Sequence, residues 1–193
     1  MSRTIFHLEE RGNLRIVRLG SDDALNRLTR DCVLSLTDAI TRLRGEERPL
    51  ILAGNEKFFS AGADLKEISA LDGRSAYEFA KMGQDLMRVV EDFPAPVFAA
   101  ISGYCMGGGL DLALACRHRI AAPHAVFGHR GAALGLITGW GGTQRLPGLI
   151  GKGRALEMFV AAEKVSAENA LSIGLIDAIS EDPVAEAARR ARL

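Results

Sequence analysis

The stretch Gly103-Tyr104-Cys105-Met106-Gly107-Gly108-Gly109-Leu110-Asp111 decides how this chain is organised. It follows the apolar run 96–101, which is typical of a buried strand, and leads into the apolar residues 112–115, which favour a helix. Three glycines at a strand-to-helix turn leave backbone N–H groups uncovered at the positive end of a helix, where a negative oxygen is stabilised. Asp111 falls in the first turn of that helix. The stretch predicts half of an oxyanion-stabilising site with an acid beside it. The alternative is that the glycines serve only a tight turn or close helix packing.

The composition is that of a globular chain, with 48% hydrophobic and 25% charged residues. A length of 193 residues suits one domain, and we expect a single domain over residues 1–193. Lys plus Arg and Asp plus Glu number 24 each, and this balance argues against nucleic acid or an anionic membrane as a partner. The polar N-terminus does not resemble a signal peptide, and no apolar stretch is long enough to span a bilayer. The three cysteines have no metal or redox spacing, and the histidines have no metal-ligand spacing. We therefore expect a cytoplasmic protein with reduced thiols and no metal.

Strand and helix patterns alternate along the rest of the chain. Apolar or alternating runs predict strands at 14–19, 50–53, 96–101, 119–122, 125–128 and 176–179. Apolar periodicity and capping residues predict helices at 30–44, 65–68, 75–91, 112–115, 143–146, 153–162, 167–172 and 183–193. Fully apolar runs such as 50–53 are typical of a parallel sheet that is buried on both sides. The alternation predicts an α/β fold with mostly parallel pairing.

Two further motifs flank the central stretch. The first is Phe59-Ser60-Ala61-Gly62-Ala63-Asp64-Leu65-Lys66. The second runs from Phe127-Gly128 to Gly139-Trp140-Gly141-Gly142-Thr143-Gln144-Arg145-Leu146-Pro147. The three motifs together, within a region from about Leu14 to Ile179, resemble the enoyl-CoA hydratase/isomerase family, the crotonases. Because they occur in order with nearly ungapped spacing, the resemblance is far more specific than any one motif.

The resemblance implies an α/β fold formed as a crotonase-like spiral of ββα units, here with a short C-terminal helical segment. It implies an acyl-coenzyme A substrate, no cofactor beyond the coenzyme A that this substrate carries, and assembly as a homotrimer or as a hexamer of two trimers. By motif position, the amides of Ala63 and Gly108 are expected to clasp the thioester oxygen, where developing negative charge is stabilised. The residues expected along the coenzyme A ligand are Ala24, Leu25, Ala61, Ala63, Asp64, Leu65, Lys66, Gly108 and Gly139. Asp64 is also a natural helix cap, and Lys66 is equally well explained as a solvated side chain.

The chain departs from the family where hydratases place two glutamates. The first position is Asp111, which is one methylene shorter, and the second is Gly131, which has no side chain. Asp111 is expected to act as acid/base, although a carboxylate at a helix N-terminus also has a purely structural role. His129 is the candidate substitute, because histidine titrates near neutral pH, but it also fits an ordinary polar residue at a strand end. Trp140 is expected to pack against the acyl group or the core.

These departures leave several reactions open. The sequence predicts an enzyme of the enoyl-CoA hydratase/isomerase type, and a one-carboxylate site suits moving a proton between carbons at least as well as adding water. A thioester hydrolase or a decarboxylase built on the same oxyanion site is also compatible with the motifs. So is an acyl-CoA-binding protein that has kept the fold and lost a catalytic glutamate.

Overall fold

The computed structural model describes residues 4–192. Strands and helices alternate along them, with a short 3-10 turn at Ala132–Leu134. The strands are β1 (Thr4–Arg11), β2 (Leu14–Ser21), β3 (Arg27–Leu28), β4 (Leu50–Ala53), β5 (Phe58–Ser60), β6 (Gly62–Ala63), β7 (Val97–Ile101), β8 (Tyr104–Met106), β9 (His118–Ala121), β10 (Val126–Gly128), β11 (Val165–Ser166) and β12 (Ala178–Ile179). The helices are α1 (Arg30–Leu43), α2 (Leu65–Ser69), α3 (Gly73–Glu91), α4 (Gly108–Ala115), α5 (Gly142–Ile150), α6 (Lys152–Ala161), α7 (Ala167–Ser172) and α8 (Pro183–Arg190).

Three successive turns of the chain repeat one path. Each turn gives a strand to a six-stranded sheet, then a strand to a four-stranded sheet, and then helical structure: β4, β5 and α2–α3; β7, β8 and α4; β9, β10 and α5. The larger sheet has the order β1-β2-β4-β7-β9-β12 and is parallel except for the β1–β2 pair. The smaller sheet has the order β11-β10-β8-β5, with β11 alone antiparallel to its neighbour. This path is the spiral of ββα units that the sequence predicted.

The six-stranded sheet is buried on both faces. Every residue of β4 and of β7 is buried, as their unbroken apolar runs predicted. On one face the sheet packs against α1 and α3, whose buried side chains recur at spacings of three and four. On the other face Ala187 of α8 joins a second apolar cluster with Ile16 and Phe98. The strands β4 and β7, which precede the motifs 59–66 and 103–111, are therefore buried at the centre of the molecule.

The structure shifts several of the predicted boundaries. Helix α4 begins at Gly108 instead of after the glycines, because Gly107, with a φ of 51°, serves as its N-cap. The edge strand β1 was not predicted. Ile5 and Leu8 in this strand are exposed, and Phe6 is partly buried against the core. Helix α8 ends at Arg190, and the last predicted helical residue, 193, lies outside the described residues. Within residues 4–192, no helix has both the length and the apolar character needed to cross a membrane.

Candidate active site

Two backbone amide nitrogens lie close together where β6 meets the first turn of α4. A Cβ atom built on Gly62 would lie 2.6 Å from the Met106 carbonyl oxygen and 3.0 Å from the Gly108 nitrogen. A Cβ atom built on Gly108 would lie 3.3 Å from the Ala63 nitrogen. Because a Cβ lies about 2.5 Å from its own nitrogen, the nitrogens of Ala63 and Gly108 are within about 6 Å of each other. At that separation both amides can reach a single oxygen at ordinary hydrogen-bond length.

The Gly108 amide belongs to an uncapped helix N-terminus. Gly108 is the first residue of α4, so its N–H has no acceptor within the helix. Within the described part of the chain no side chain caps α4, in contrast to α1 and α2, which are capped by Thr29 and Asp64. The positive end of α4 is therefore available to an external negative oxygen.

A buried polar network holds β6 in this position. The Ser60 hydroxyl donates to the Asn26 carbonyl oxygen at 2.7 Å and accepts from the Gly62 amide at 3.0 Å. The Asn26 side chain donates to the Phe58 carbonyl oxygen at 2.9 Å, and both Asn26 and Ser60 are fully buried. Sequence reasoning had not assigned these two residues a role. The detectable signal was a Ser inside the flanking motif 59–66 and an Asn able to adopt the left-handed φ of 49° found here.

Asp111 and His129 meet in a buried pair beside the amides. Asp111 lies one helical turn after Gly108, on the same side of α4, and is 1% exposed. Its Oδ2 accepts a hydrogen bond from the Thr138 hydroxyl, while its Oδ1 lies 3.4 Å from His129 Nε2. Neither Oδ1 nor Nε2 has a hydrogen-bond partner among the described residues. The structure thus brings together the two titratable residues proposed from sequence. It adds Thr138, which no sequence motif singled out.

Burial shifts the pKa values of this pair in opposite senses. It raises the pKa of Asp111 to about 7, and the Thr138 hydrogen bond, the Arg145 charge and the Gly142 amide only partly offset the rise. It lowers the pKa of His129 to about 4, because the imidazole is 4% exposed and packs on the Phe159 ring at 5.1 Å. Near neutral pH His129 is therefore uncharged, and Asp111 is divided between its acid and carboxylate forms. The pair holds one proton acceptor and one acid.

These shifts predict opposite pH dependences of stability in two variants. Asp111→Asn leaves only His129, whose lowered pKa makes the free energy of unfolding fall as pH drops from 6.5 to 4. His129→Gln leaves only Asp111, whose raised pKa makes the free energy of unfolding fall as pH rises over the same interval. Each change amounts to about 3 kcal/mol relative to wild type. In the wild type the two effects cancel, since the folded pair and the unfolded pair each bind one proton there. Urea unfolding at four pH values tests this, and two variants with the same slope would contradict it.

Two glycines explain why the pair can form and why a second carboxylate is missing. A Cβ on Gly142, the first residue of α5, would lie 2.2 Å from Asp111 Oδ1 and 3.1 Å from His129 Nε2. Gly142 therefore leaves the space that the pair occupies. A Cβ on Gly131 would lie 2.7 Å from the Leu136 carbonyl oxygen, a backbone atom. The loop after Gly131 thus fills the place where a side chain would begin, and the departure from the hydratase pattern is part of the fold.

The residues predicted along coenzyme A fall into two groups. Most of them lie together, because the Leu25 carbonyl oxygen accepts from the Ala61 amide at 2.9 Å and joins the turn at 24–25 to the segment 61–66. Asp64 caps α2 as expected, accepting from the Lys66 amide at 2.7 Å, and the Lys66 side chain is exposed. Gly139 belongs to a different group, since its carbonyl oxygen accepts from the Gln84 side chain on α3 at 2.8 Å. Contact of any of these residues with coenzyme A stays a prediction.

A cavity of about 830 Å³ adjoins the site between α3 and α5. Thr138 and Gly139 line one part of it, and Arg145 lines another. Neither Ala63 nor Gly108 contributes to its lining. The candidate active site is therefore defined by the two amides and the Asp111–His129 pair, and this cavity is a neighbour of it.

Comparison with known proteins identifies the class. Pseudomonas aeruginosa DspI superimposes with a TM-score of 0.92 at 36% identity, covering 97% of this chain and 73% of that one. Enoyl-CoA hydratase from Bacillus anthracis superimposes with a TM-score of 0.88 at 36% identity, with the same coverages. The chain has the crotonase fold that the sequence predicted.

The sequence itself matches the family described as enoyl-CoA hydratase/isomerase over residues 9–192. The crotonyl-CoA hydratase of Syntrophomonas wolfei is 37% identical over 175 residues, which cover 89% of this chain and 67% of that protein. A probable enoyl-CoA hydratase of Bacillus subtilis is 46% identical over 136 residues, which cover 70% of this chain and 53% of that protein. The matched regions span from about half to about two thirds of these curated relatives. The chain belongs to the enoyl-CoA hydratase/isomerase family, which confirms the enzyme class predicted from its motifs.

Proposed function

We propose that the chain adds water across the double bond of a 2-enoyl-CoA thioester, with Asp111 and His129 replacing the two glutamates of the family's hydratases. One observation carries this proposal. Asp111 Oδ1 and His129 Nε2 face each other at 3.4 Å, and both atoms are buried. Neither has a partner with hydrogen-bond geometry among the described residues, although the Gly142 amide lies near enough to the Asp111 carboxyl group to lower its pKa. Buried polar atoms are nearly always paired, so two orphans on adjacent titratable groups indicate a place for a bound polar molecule.

The amides of Ala63 and Gly108 supply the electrostatic part of the mechanism. A thioester oxygen placed between them accepts two N–H donors, and these bonds strengthen as the oxygen takes on the negative charge of an enolate. Each such donor typically contributes about 3 kcal/mol of transition-state stabilisation. Both donors belong to rigid backbone, so little reorganisation is needed when the charge develops.

The Asp–His pair supplies the proton transfers. Atoms 3.4 Å apart can both bond to one water oxygen. Neutral His129 accepts a proton from that water as its oxygen bonds to the β-carbon, and electrons of the double bond move to the thioester oxygen. Protonated Asp111 then donates its proton to the α-carbon, which gives the 3-hydroxyacyl thioester. Transfer of the proton from His129 back to Asp111 restores the starting state.

The named relatives support hydration over other chemistry on the same site. Proteins named crotonyl-CoA hydratase and short-chain-enoyl-CoA hydratase align with 37% and 36% identity. The pKa values support the same division of roles, because at neutral pH His129 is free to accept a proton and Asp111 is partly able to donate one.

A second candidate is migration of the double bond between 3-enoyl and 2-enoyl thioesters. It is favoured by Gly131, which leaves one carboxyl group in the site where hydratases of the family have two. In this reaction ionised Asp111 would take a proton from one carbon and return it to another, and His129 would not be needed.

A pair of assays at several pH values separates these reactions. Crotonyl-CoA is followed by loss of enoyl absorbance, and a 3-enoyl-CoA is followed by its gain. For hydration, kcat/KM is expected to fall as pH rises through about 7, because Asp111 must carry its proton, and His129→Gln is expected to abolish turnover. For isomerisation, kcat/KM rises through the same pH and His129→Gln remains active. If the protein binds acyl-CoA but shows neither activity, the remaining candidate is an acyl-CoA-binding protein without catalysis.

A further inference from the structure

We propose that Trp140 sets the length of the acyl group that this site accepts, and that its substrates are thioesters of short acyl chains. This inference rests on the proposed function, because it takes the Ala63 and Gly108 amides as the place of the thioester oxygen.

The indole lies directly against the oxyanion donors. A Cβ on Gly108 would lie 2.5 Å from Trp140 Cζ3 and 2.7 Å from Cε3, and the same point is 3.3 Å from the Ala63 nitrogen. The six-membered edge of the ring is therefore within about 6 Å of the Ala63 amide, by addition of these two short distances. Trp140 is 3% exposed, so its ring occupies this volume instead of lying on the surface.

The ring is also locked in place from behind. Its Nε1–H donates to the Phe79 carbonyl oxygen at 3.2 Å, and its ring packs on Phe79 with centroids 5.3 Å apart. A Cβ on Gly83 would lie 2.1 Å from Nε1, so α3 accommodates the indole only because residue 83 is glycine. The Gln84 side chain ties the Gly139 carbonyl oxygen to the same helix at 2.8 Å. The indole cannot retreat towards α3 when a ligand enters.

The position of the Trp140 indole limits the length of the acyl chain. The segment 138–142 provides both Thr138, which is bonded to Asp111, and Trp140, which flanks Gly108. An acyl chain whose first carbons lie between the amides and the Asp111–His129 pair therefore meets this same segment next. Apolar pockets discriminate by size, and one methylene that does not fit typically lowers kcat/KM by about 10-fold or more. A rigid indole at that point excludes long chains and contacts short ones with an apolar edge.

Activity across chain length tests the inference. The 2-enoyl thioesters with four, eight and twelve carbons are compared for wild type, Trp140→Phe, Trp140→Leu and Trp140→Ala. Wild type is expected to prefer the four-carbon substrate. Trp140→Ala is expected to raise the eight-carbon to four-carbon ratio of kcat/KM by about 100-fold, with Trp140→Phe in between. Tyr77→Ala, which removes a 71% exposed aromatic from α3, serves as the control and is expected to leave the ratio unchanged. If Trp140→Ala does not fold, Trp140→Leu decides, because it keeps apolar bulk and shortens the wall.

Binding gives a readout that does not depend on turnover. Trp140 is the only tryptophan of the sequence, so its fluorescence reports on this wall alone. Titration with butyryl-CoA is expected to change its emission saturably, and lauroyl-CoA is expected to bind wild type at least 10-fold more weakly than butyryl-CoA. The role of Trp140 would be overturned if Trp140→Leu and Trp140→Phe both kept the wild-type ratio of kcat/KM between the eight-carbon and four-carbon substrates. If these variants still turned over crotonyl-CoA, the proposed function would stand. No fluorescence response to any acyl-CoA, together with no turnover, would overturn the proposed function itself.

Discussion

Asp111→Asn is expected to lower kcat for crotonyl-CoA by about 10³-fold, which is within the range typical of a general acid or base. Asparagine has the size of aspartate and still offers an oxygen to the Thr138 hydroxyl, so the packing around α4 is kept. What it removes is the titratable proton beside His129. Steady-state kinetics with crotonyl-CoA measures the loss, and a titration with butyryl-CoA is expected to show affinity within about 3-fold of wild type, because the amides are untouched.

The matched control for this variant is Asp182→Asn. Asp182 is an exposed carboxylate that caps α8, accepting from the Ala185 amide at 2.9 Å, and asparagine caps helices equally well. Its activity is expected to equal that of wild type. Wild-type kcat in the Asp111→Asn variant would remove Asp111 from the mechanism, and equal losses in both variants would indicate a general effect of removing a carboxylate.

Gly108→Ala is expected to reduce kcat by roughly 100-fold or more, which corresponds to the loss of about one oxyanion donor, or about 3 kcal/mol. The new methyl group would lie 2.5 Å from Trp140 Cζ3 and 3.3 Å from the Ala63 nitrogen. Because the indole is held by Phe79 and Gly83, the first turn of α4 has to move, and the Gly108 amide moves with it. The effect is expected mainly in kcat, since the enolate depends on the donor more than the bound ground state does.

Gly153→Ala provides the control for this substitution. Gly153 lies in α6, and a Cβ there meets no atom of residues 4–192 within 4 Å. Its kinetic constants are expected to stay at wild-type values, and thermal unfolding of both variants shows how much of the Gly108→Ala effect comes from destabilisation. If Gly108→Ala melts at the wild-type temperature and keeps full kcat, the two-amide oxyanion site is wrong.

Local patterns predicted a large part of the fold. The cap at Thr29 and the apolar spacing after it predicted α1 to within one residue, because capping and helical periodicity involve neighbours in the chain. The apolar runs of β4 and β7 predicted central parallel strands for the same reason. The strands β5, β6 and β8 were not predicted, since two or three residues hold no periodicity and these strands exist only through their partners.

The candidate site, like the fold, was predicted only in part from the sequence. The resemblance to the crotonases implied Ala63 and Gly108 as the candidate amides, and Asp111 was identified as the first acid after the three glycines. Three contacts of the site could not be predicted from sequence, because each joins different elements of the chain. They are the pairing of Asp111 with His129, the hydrogen bond from Thr138 to Asp111, and the contact of Trp140 with Gly108.

By itself, the sequence determined the alternation of strands and helices, the capped helix starts, the two glycine-rich turns and membership of an acyl-CoA family. These depend on the order of residues along the chain and on backbone chemistry that acts locally. Only the tertiary structure decided which side chains face each other and how deeply they are buried. Burial is what moves the pKa of Asp111 up to about 7 and that of His129 down to about 4, and it arises when α4, α5 and the loop after β10 pack together. Packing thus assigns the acid and the base, since between about pH 4 and 6.5 an extended chain would hold the same aspartate ionised and the same histidine protonated.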